Sequence, residues 1–328
     1  MRFSSFIPLG LSALALAAPT PTIKKNGLYA RQNGTGSTNG TDGPIGYASQ
    51  NGGTTGGAGG SAVSVSSLAE LQAAVEGDEA AVITITSSIK GNGDNVKIGS
   101  NKSVLGKDSS VVLENFTLTI KGAKNVILRN LAIQKVVGAD AIAVQKSTNV
   151  WLDHLDVSSD RDHDKDFYDG LIDLTHAADF VTISNTKIHD HWKASLVGHS
   201  DNNAAEDTGF LRVTYHNNHW ENINSRGPSL RFGTGHFFNN YYNAVADGIN
   251  ARLGAQVLVE NNVWVDSKKP LYSVDNDAGA VASGNDFGGA ENTAPAGTLK
   301  TVPYSYDLIE ASAVKAAVVG TAGNTLTL

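Results

Sequence analysis

The chain has 328 residues, 41% of them hydrophobic, with 35 glycines and no cysteine. Length and apolar content suit one large domain with a sizeable core and exclude a disordered chain. A formal net charge of −7 excludes the broad basic footprint of a nucleic-acid-binding protein, so any polyanionic ligand must be met by locally concentrated positive charge.

The first segment, MRFSSFIPLGLSALALAAPTP, combines a basic residue, an apolar run and small residues near Ala17 and Ala18. It reads as a secretory signal peptide over residues 1–18; its apolar run is too short to span a bilayer, and no later segment qualifies as a transmembrane helix. A secreted chain without disulfides must draw its stability from its own core, which favours a large hydrogen-bonded fold. Residues 19–42 are polar and rich in Gly, Ser and Thr, as flexible or processed leaders are, and the main folded domain is expected over 43–328. Four sequons, at Asn33, Asn39, Asn101 and Asn115, are candidate glycosylation sites. The glycines of Gly46 to Gly60 lack the preceding strand and the spacing of a phosphate-binding loop, so they read as tight turns.

Ser66 to Gly77 carries a helix signature: a Ser66 or Ser67 cap, an apolar stripe of Leu68, Leu71 and Val75, and a glycine stop. The next convincing amphipathic helix is YDLIEASAVKAAVVG near the end. Between them lie short β-type runs closed by Asn or His: NVILRN at Asn130, NVWLDH at His154, FVTISN at Asn185, RVTYHN at Asn217, GHFFNN at Asn240 and QVLVEN at Asn261. The steps are 24, 31, 32, 23 and 21 residues. Such a period without intervening helices predicts a parallel β-helix, with asparagines bonded along the stack, the first helix capping its N-terminal end, and the longer steps carrying inserted loops on a binding face. A β-sandwich would instead space its strands by about 8–12 residues.

DVSSDRDHDKDFYDGLIDL crowds six aspartates between Asp160 and Asp173. An EF-hand counted from Asp160 fails, because Lys165 and Leu171 stand where Gly and Glu are needed. Asp160, Asp162 and Asp164 read as a solvated acidic loop. Asp169 and Asp173 are spaced to share a strand face, and Asp173, between Ile172 and Leu174, occupies a position that is costly for an unused charge. With Asp140, one coil earlier in an apolar setting, they form an oxygen-only set suited to Ca²⁺. His189, His191 and His199 complete no zinc spacing. Lys193 before an apolar run is a candidate fixed cation. In NSRGPSLRFG, Arg226 and Arg231 flank Pro228, which excludes a helix interior. Asp173, Lys193 and Arg226, on successive coils, are expected to form one column along a face, with guanidinium forks suited to carboxylates.

These segments resemble those of a known family. NVWLDH is similar to the vWiDH motif of pectate lyases and RGPSLR to their RxPxxR motif; YDGLIDL, HDHWKASLVGHSD, GINARLGAQVLVENN and NGGTTGGAGG also look like family segments. The resemblance runs from about Gly46 to the C-terminus and implies polysaccharide lyase family 1: an all-β, right-handed parallel β-helix. It places calcium ligands on Asp140, Asp169 and Asp173, the catalytic base on Arg226, and substrate binding on Lys193 and Arg231. KASLVG departs from the commoner KTMLIG, and the missing cysteines depart from related pectin lyases. The implied reaction is calcium-dependent β-elimination on polygalacturonate of the plant cell wall by a secreted monomer with no membrane or nucleic-acid partner. A free guanidinium titrates above about 12, so such a base requires neighbouring cations or an alkaline medium. The alternatives are a pectin lyase acting on methylated pectin; a polygalacturonase-like hydrolase, whose N-T-D, G-H-G and R-I-K segments are absent from this sequence; and a non-catalytic pectate-binding β-helix.

Overall fold

The computed structural model describes Met1 and residues 43–328. The signal, leader and first two sequon readings therefore lie outside the described residues. From Ser61 onward the chain winds as a parallel β-solenoid. One ten-stranded sheet runs from Ser61–Val65 to Gly279–Ser283. The long strand Val112–Lys121 pairs with Ala132–Gln134 through its first half and with Ile142–Gln145 through its second, so the remaining strands form one fourteen-stranded sheet that splits into two arms at this strand.

The parallel register stacks like on like. Leu128, Leu152, Ile183, Tyr215, Phe237 and Val259 form one interior column, all fully buried. Trp220, Tyr242 and Trp264 form another, with ring centroids 5.6 and 4.6 Å apart and nearly parallel planes. Burial of this kind stabilises the coil at about 25 cal/mol per Å² of apolar surface. The helix Leu68–Val75 begins as its sequence says: Ser67 Oγ accepts from the Glu70 amide, and Glu70 reaches back to the Ser66 amide at 2.7 Å. Its Leu71 and Val75 are fully buried against the first coils, covering the N-terminal end of the stack. The helix Ala311–Val318 packs outside the stack on Tyr241 and Val263.

The closing residues of the β-runs adopt the left-handed conformation: Asn130, His154, Asn185, Asn217, Asn239 and Asn261 have φ between 49° and 59°. Asparagine tolerates this region better than other non-glycine residues. The alignment on Asn240 is thus one residue late; with Asn239 in its place, the last two steps are both 22 residues. The buried ladder belongs to the following residue. Asn218 donates to Asn240 Oδ1 through both its backbone and side-chain nitrogens, Asn240 does the same to Asn262, and Asn262 to Asn285.

Two straps fasten these turns. The N-terminal segment lies along one corner, where Asn149 donates to Gln50 and Gly53 carbonyls and Asn125 accepts from the Thr55 and Gly56 amides. The C-terminal segment returns along another, from Ile309 at Asn239 to Leu326 at Asn130.

Asn240→Ala would strand the Asn218 donors in a dry interior at a cost of about 3 kcal/mol. The expected outcome is a melting temperature lower by roughly 5 °C or more, measured by calorimetry, with activity per folded molecule retained.

Candidate active site

The sequence-predicted residues converge where the strands Ile142–Gln145, Ile172–Thr175, Ser195–Val197 and Ser229–Arg231 lie side by side. They do not form one column. Asp173 is level with Leu196, whereas Lys193 is level with Ser225, at the ends of the strands Lys187–Lys193 and His219–Ser225. Ala194 turns the chain between the two arms of the fourteen-stranded sheet, so Lys193 and Arg226 reach the site from its corner.

Asp173 is only 7% exposed, and its Oδ1 accepts from the Leu196 amide at 3.0 Å. Asp140, in the turn before Ile142, accepts from the Gly170 amide at 2.9 Å. A Cβ on Gly170 would stand 2.6 Å from Asp173 Oδ1 and 2.8 Å from Asp140 Oδ1. Only glycine lets the backbone pass between the two carboxylates.

Burial, and secondarily the charge of Asp140, pushes the Asp173 carboxyl well above its ordinary range; Arg226 pulls it back in part. Burial also raises Asp140, with the Gly170 amide opposing and Asp169 adding to the rise. A carboxyl raised on folding stabilises the fold fully below its unfolded value, and that contribution is lost as pH rises above about 4. Ionising both carboxyls is thus opposed by burial and by their mutual repulsion, which Arg226 offsets only in part. The pair's oxygen-only donors fit a hard divalent ion.

Asp169 does not complete a three-carboxylate cage: no such acidic or histidine group converges among the described residues. Its Oδ1 instead accepts from Lys193 Nζ at 3.1 Å, and Asp166 accepts from the same amine at 3.0 Å. Desolvation lowers the Lys193 pKa, but these two carboxylates outweigh it and the amine is held above its usual value.

His191, buried, donates Nε2–H to the Asp169 carbonyl at 2.7 Å and accepts the Ser159 hydroxyl at Nδ1. Burial lowers its pKa to about 4, which keeps it neutral. Asp160, expected to be solvated, knots the loop instead, meeting Tyr168 Oη at 2.9 Å and His163 Nδ1 at 2.6 Å. Desolvation opposes its charge, but these hydrogen bonds prevail and hold it at about 2. Arg161, stacked over Trp192, clamps the loop to Asn222.

Arg226 has φ 60° and a half-buried side chain. Its guanidinium lies in the field of Asp140 and Asp173, yet it makes no hydrogen bond or salt bridge among the described residues. Arg231 is braced: Nε meets Asp201 at 2.6 Å and Nη1 donates to the Gly198 carbonyl at 2.8 Å, leaving Nη2 without a partner there. Asp201 also holds Arg252, which is level with Arg231 on the next coil and meets Asp275. The supporting roles of Asp166, His191, Asp201 and Arg252 were not assigned from sequence. The visible signal was their place in HDHWKASLVGHSD, GINARLG and the acidic run.

Residues 28–326 match the family model described as pectate lyase. The chain belongs to the pectate lyase family. A probable pectate lyase A of Aspergillus flavus is 60% identical over 330 residues, with 99% of each chain covered. Pectate lyase A of Aspergillus niger is 61% identical, with 88% of this chain and 89% of that one covered. The crystal structure of a Bacillus sp. N165 pectate lyase in complex with trigalacturonate superposes with a TM-score of 0.78 at 32% identity, covering 86% of this chain and 98% of that one. The enzyme is thus a polysaccharide lyase on a parallel β-solenoid, and the hydrolase and pure binding-module readings fall away.

For this pectate lyase, Asp173→Asn keeps the acceptor for the Leu196 amide and removes the repulsion with Asp140. Without divalent ions at pH 8 the variant should melt at or above the wild-type temperature. Added calcium should raise the wild-type melting temperature but not that of the variant; equal shifts would dissociate the pair from cation binding.

Proposed function

We propose that the enzyme cleaves α-1,4-linked polygalacturonate by β-elimination in a calcium-dependent reaction, and that Asp140, Asp169 and Asp173 hold the ion. The buried Asp173 and the half-buried Asp140 supply a close pair; Asp169, more than half exposed at its side chain, is free to turn from Lys193 toward them. Calcium bound there would bridge to a substrate uronate and make the proton at C5 more acidic.

The observation that carries this reading is the guanidinium of Arg226, which makes no hydrogen bond or salt bridge among the described residues, beside the half-buried Asp140 and the buried Asp173; an ion held by those carboxylates would supply the neighbouring positive charge that such a base requires. Arg226 takes the C5 proton, the electron pair forms the C4–C5 double bond, and the glycosidic oxygen leaves and is protonated from solvent. Lys193 and Nη2 of Arg231 hold the substrate carboxylate as negative charge spreads onto it. Asp201 fixes the Arg231 fork, and His191 fixes the backbone that carries Asp169. The acidic set favours pectate over methylated pectin, because an ester neither ligates a cation nor pairs with a guanidinium as a carboxylate does.

We also assign residues 1–18 as the signal peptide, 19–42 as the leader and 43–328 as the catalytic domain of a secreted monomer acting on plant cell-wall pectin. Of the two described sequons, Asn115 is the better glycosylation site: the Asn101 side-chain nitrogen already donates to the Asp78 carbonyl, whereas Asn115 is engaged only through its oxygen.

Polygalacturonate incubated with the enzyme and calcium should gain ultraviolet absorbance from the unsaturated product, and excess chelator should abolish the gain. New reducing ends without absorbance would mean hydrolysis. Arg226→Lys should lose about 10²-fold or more in kcat while remaining folded; full activity would remove Arg226 from the role of base.

A further inference from the structure

The cleft bordered by Asp140 and Asp169 does not stop at the carboxylates. A groove of about 740 Å³ continues along the same sheet toward the N-terminal coils, past Gln145, Thr119, Lys121 and Lys97. Lys97 is level with Thr119, Thr119 with Ala143, and Ala143 with Asp173. Lys97 therefore lies three coils from Asp173 in one register column, about 14 Å at roughly 4.8 Å per coil. Lys121 stands two residues beyond Thr119, on the same face of its strand, and is level with Gln145 and then Thr175.

The absence of a paired acid sets these lysines apart among the described residues. Lys193, Arg231 and Arg252 are each paired with aspartates. Lys97 and Lys121 are both exposed, and neither makes a hydrogen bond or salt bridge among the described residues. In a chain of net charge −7, two neighbouring cations that pair with no acid among the described residues form a local positive stretch, bounded at its near end by Asp140 and Asp169. Beyond them, Glu76 and Asp78 line the far end of the groove. A polyanion entering from the carboxylate centre would thus be attracted across two further coils and then repelled.

We infer that Lys97 and Lys121 form a remote carboxylate-binding subsite that holds substrate uronates lying two to three coils N-terminal of the cleaved linkage. The inference rests on the pectate reading above and deepens it: this subsite makes the enzyme favour long, unesterified chains.

The test is the double variant Lys97→Gln/Lys121→Gln, assayed for unsaturated product on galacturonate oligomers of increasing length and on the polymer. The ratio of kcat/KM on polymer to kcat/KM on the shortest cleaved oligomer should fall about three- to tenfold, as expected for two solvent-exposed ion pairs. Both lysines are exposed, so an unchanged melting temperature should accompany the loss. Lys300→Gln, an exposed lysine outside the groove, controls for bulk charge. An unchanged ratio in the double variant, or an equal fall in Lys300→Gln, overturns the subsite. A wild-type enzyme that yields no unsaturated product at all overturns instead the reading on which the subsite rests.

Discussion

The structure depends on parallel register. Each coil hydrogen-bonds to the next at strand spacing, so whatever occupies a position on one coil faces its counterpart about 4.8 Å away on the next. Apolar groups gain from this, which is why Leu128, Leu152 and Ile183 repeat inside and Trp220, Tyr242 and Trp264 stack face to face. Buried amides also gain, because asparagine is both donor and acceptor and can bond to copies of itself without limit. Like charges lose. In register, Asp173 faces Ala143 rather than another acid; its repelling neighbour Asp140 comes from the turn before that strand.

Asp140 and Asp173 approach closely because Gly170 has no Cβ to separate them. Water is excluded from Asp173, so the repulsion is poorly screened. The surrounding cations are held back in different ways. Lys193 is engaged by Asp166 and Asp169, Arg231 by Asp201 and Gly198, while Arg226 remains unbonded. The corner at Ala194 is what permits this. If Lys193 and Arg226 were in strand register with Asp173, as their one-per-coil spacing first suggests, Lys193 would lie directly above the carboxylate and Arg226 one coil further, above Lys193. Displaced by the turn, Arg226 stays near the carboxylates without being neutralised by a hydrogen bond to either.

What could be read from sequence follows the range of the interactions. The solenoid was legible because a left-handed turn after each run selects asparagine locally, and local selection repeats along the chain. The error at Asn239 and Asn240 arose because two consecutive asparagines do different work: the first makes the turn and the second joins the buried ladder. Asp173 was legible because a charge between Ile172 and Leu174 violates the local pattern. The knot at Asp160, the His191 contact with the Asp169 carbonyl and the brace of Asp201 on Arg231 were not. Each joins residues up to some thirty positions apart or folds a loop back on itself, and loop length rather than residue type decides which partners meet.

An acidic protein that takes an acidic polymer must arrange its charges by position, since the far field repels the ligand. Most cations around the cleft are committed to acids, which fixes their geometry but cancels much of their attraction. A substrate carboxylate arriving at Lys193 must compete with Asp166 and Asp169, and one arriving at Arg231 finds only the remaining nitrogen of a braced fork. Net attraction therefore has to come from cations that are not already paired. Among those facing the cleft these are Arg226 at the reacting centre and Lys97 and Lys121 along the groove. On the proposed reading, that distribution divides the work: paired cations define where the reacting uronate sits, and unpaired ones supply the pull, one at the bond to be broken and two along the chain that leads to it.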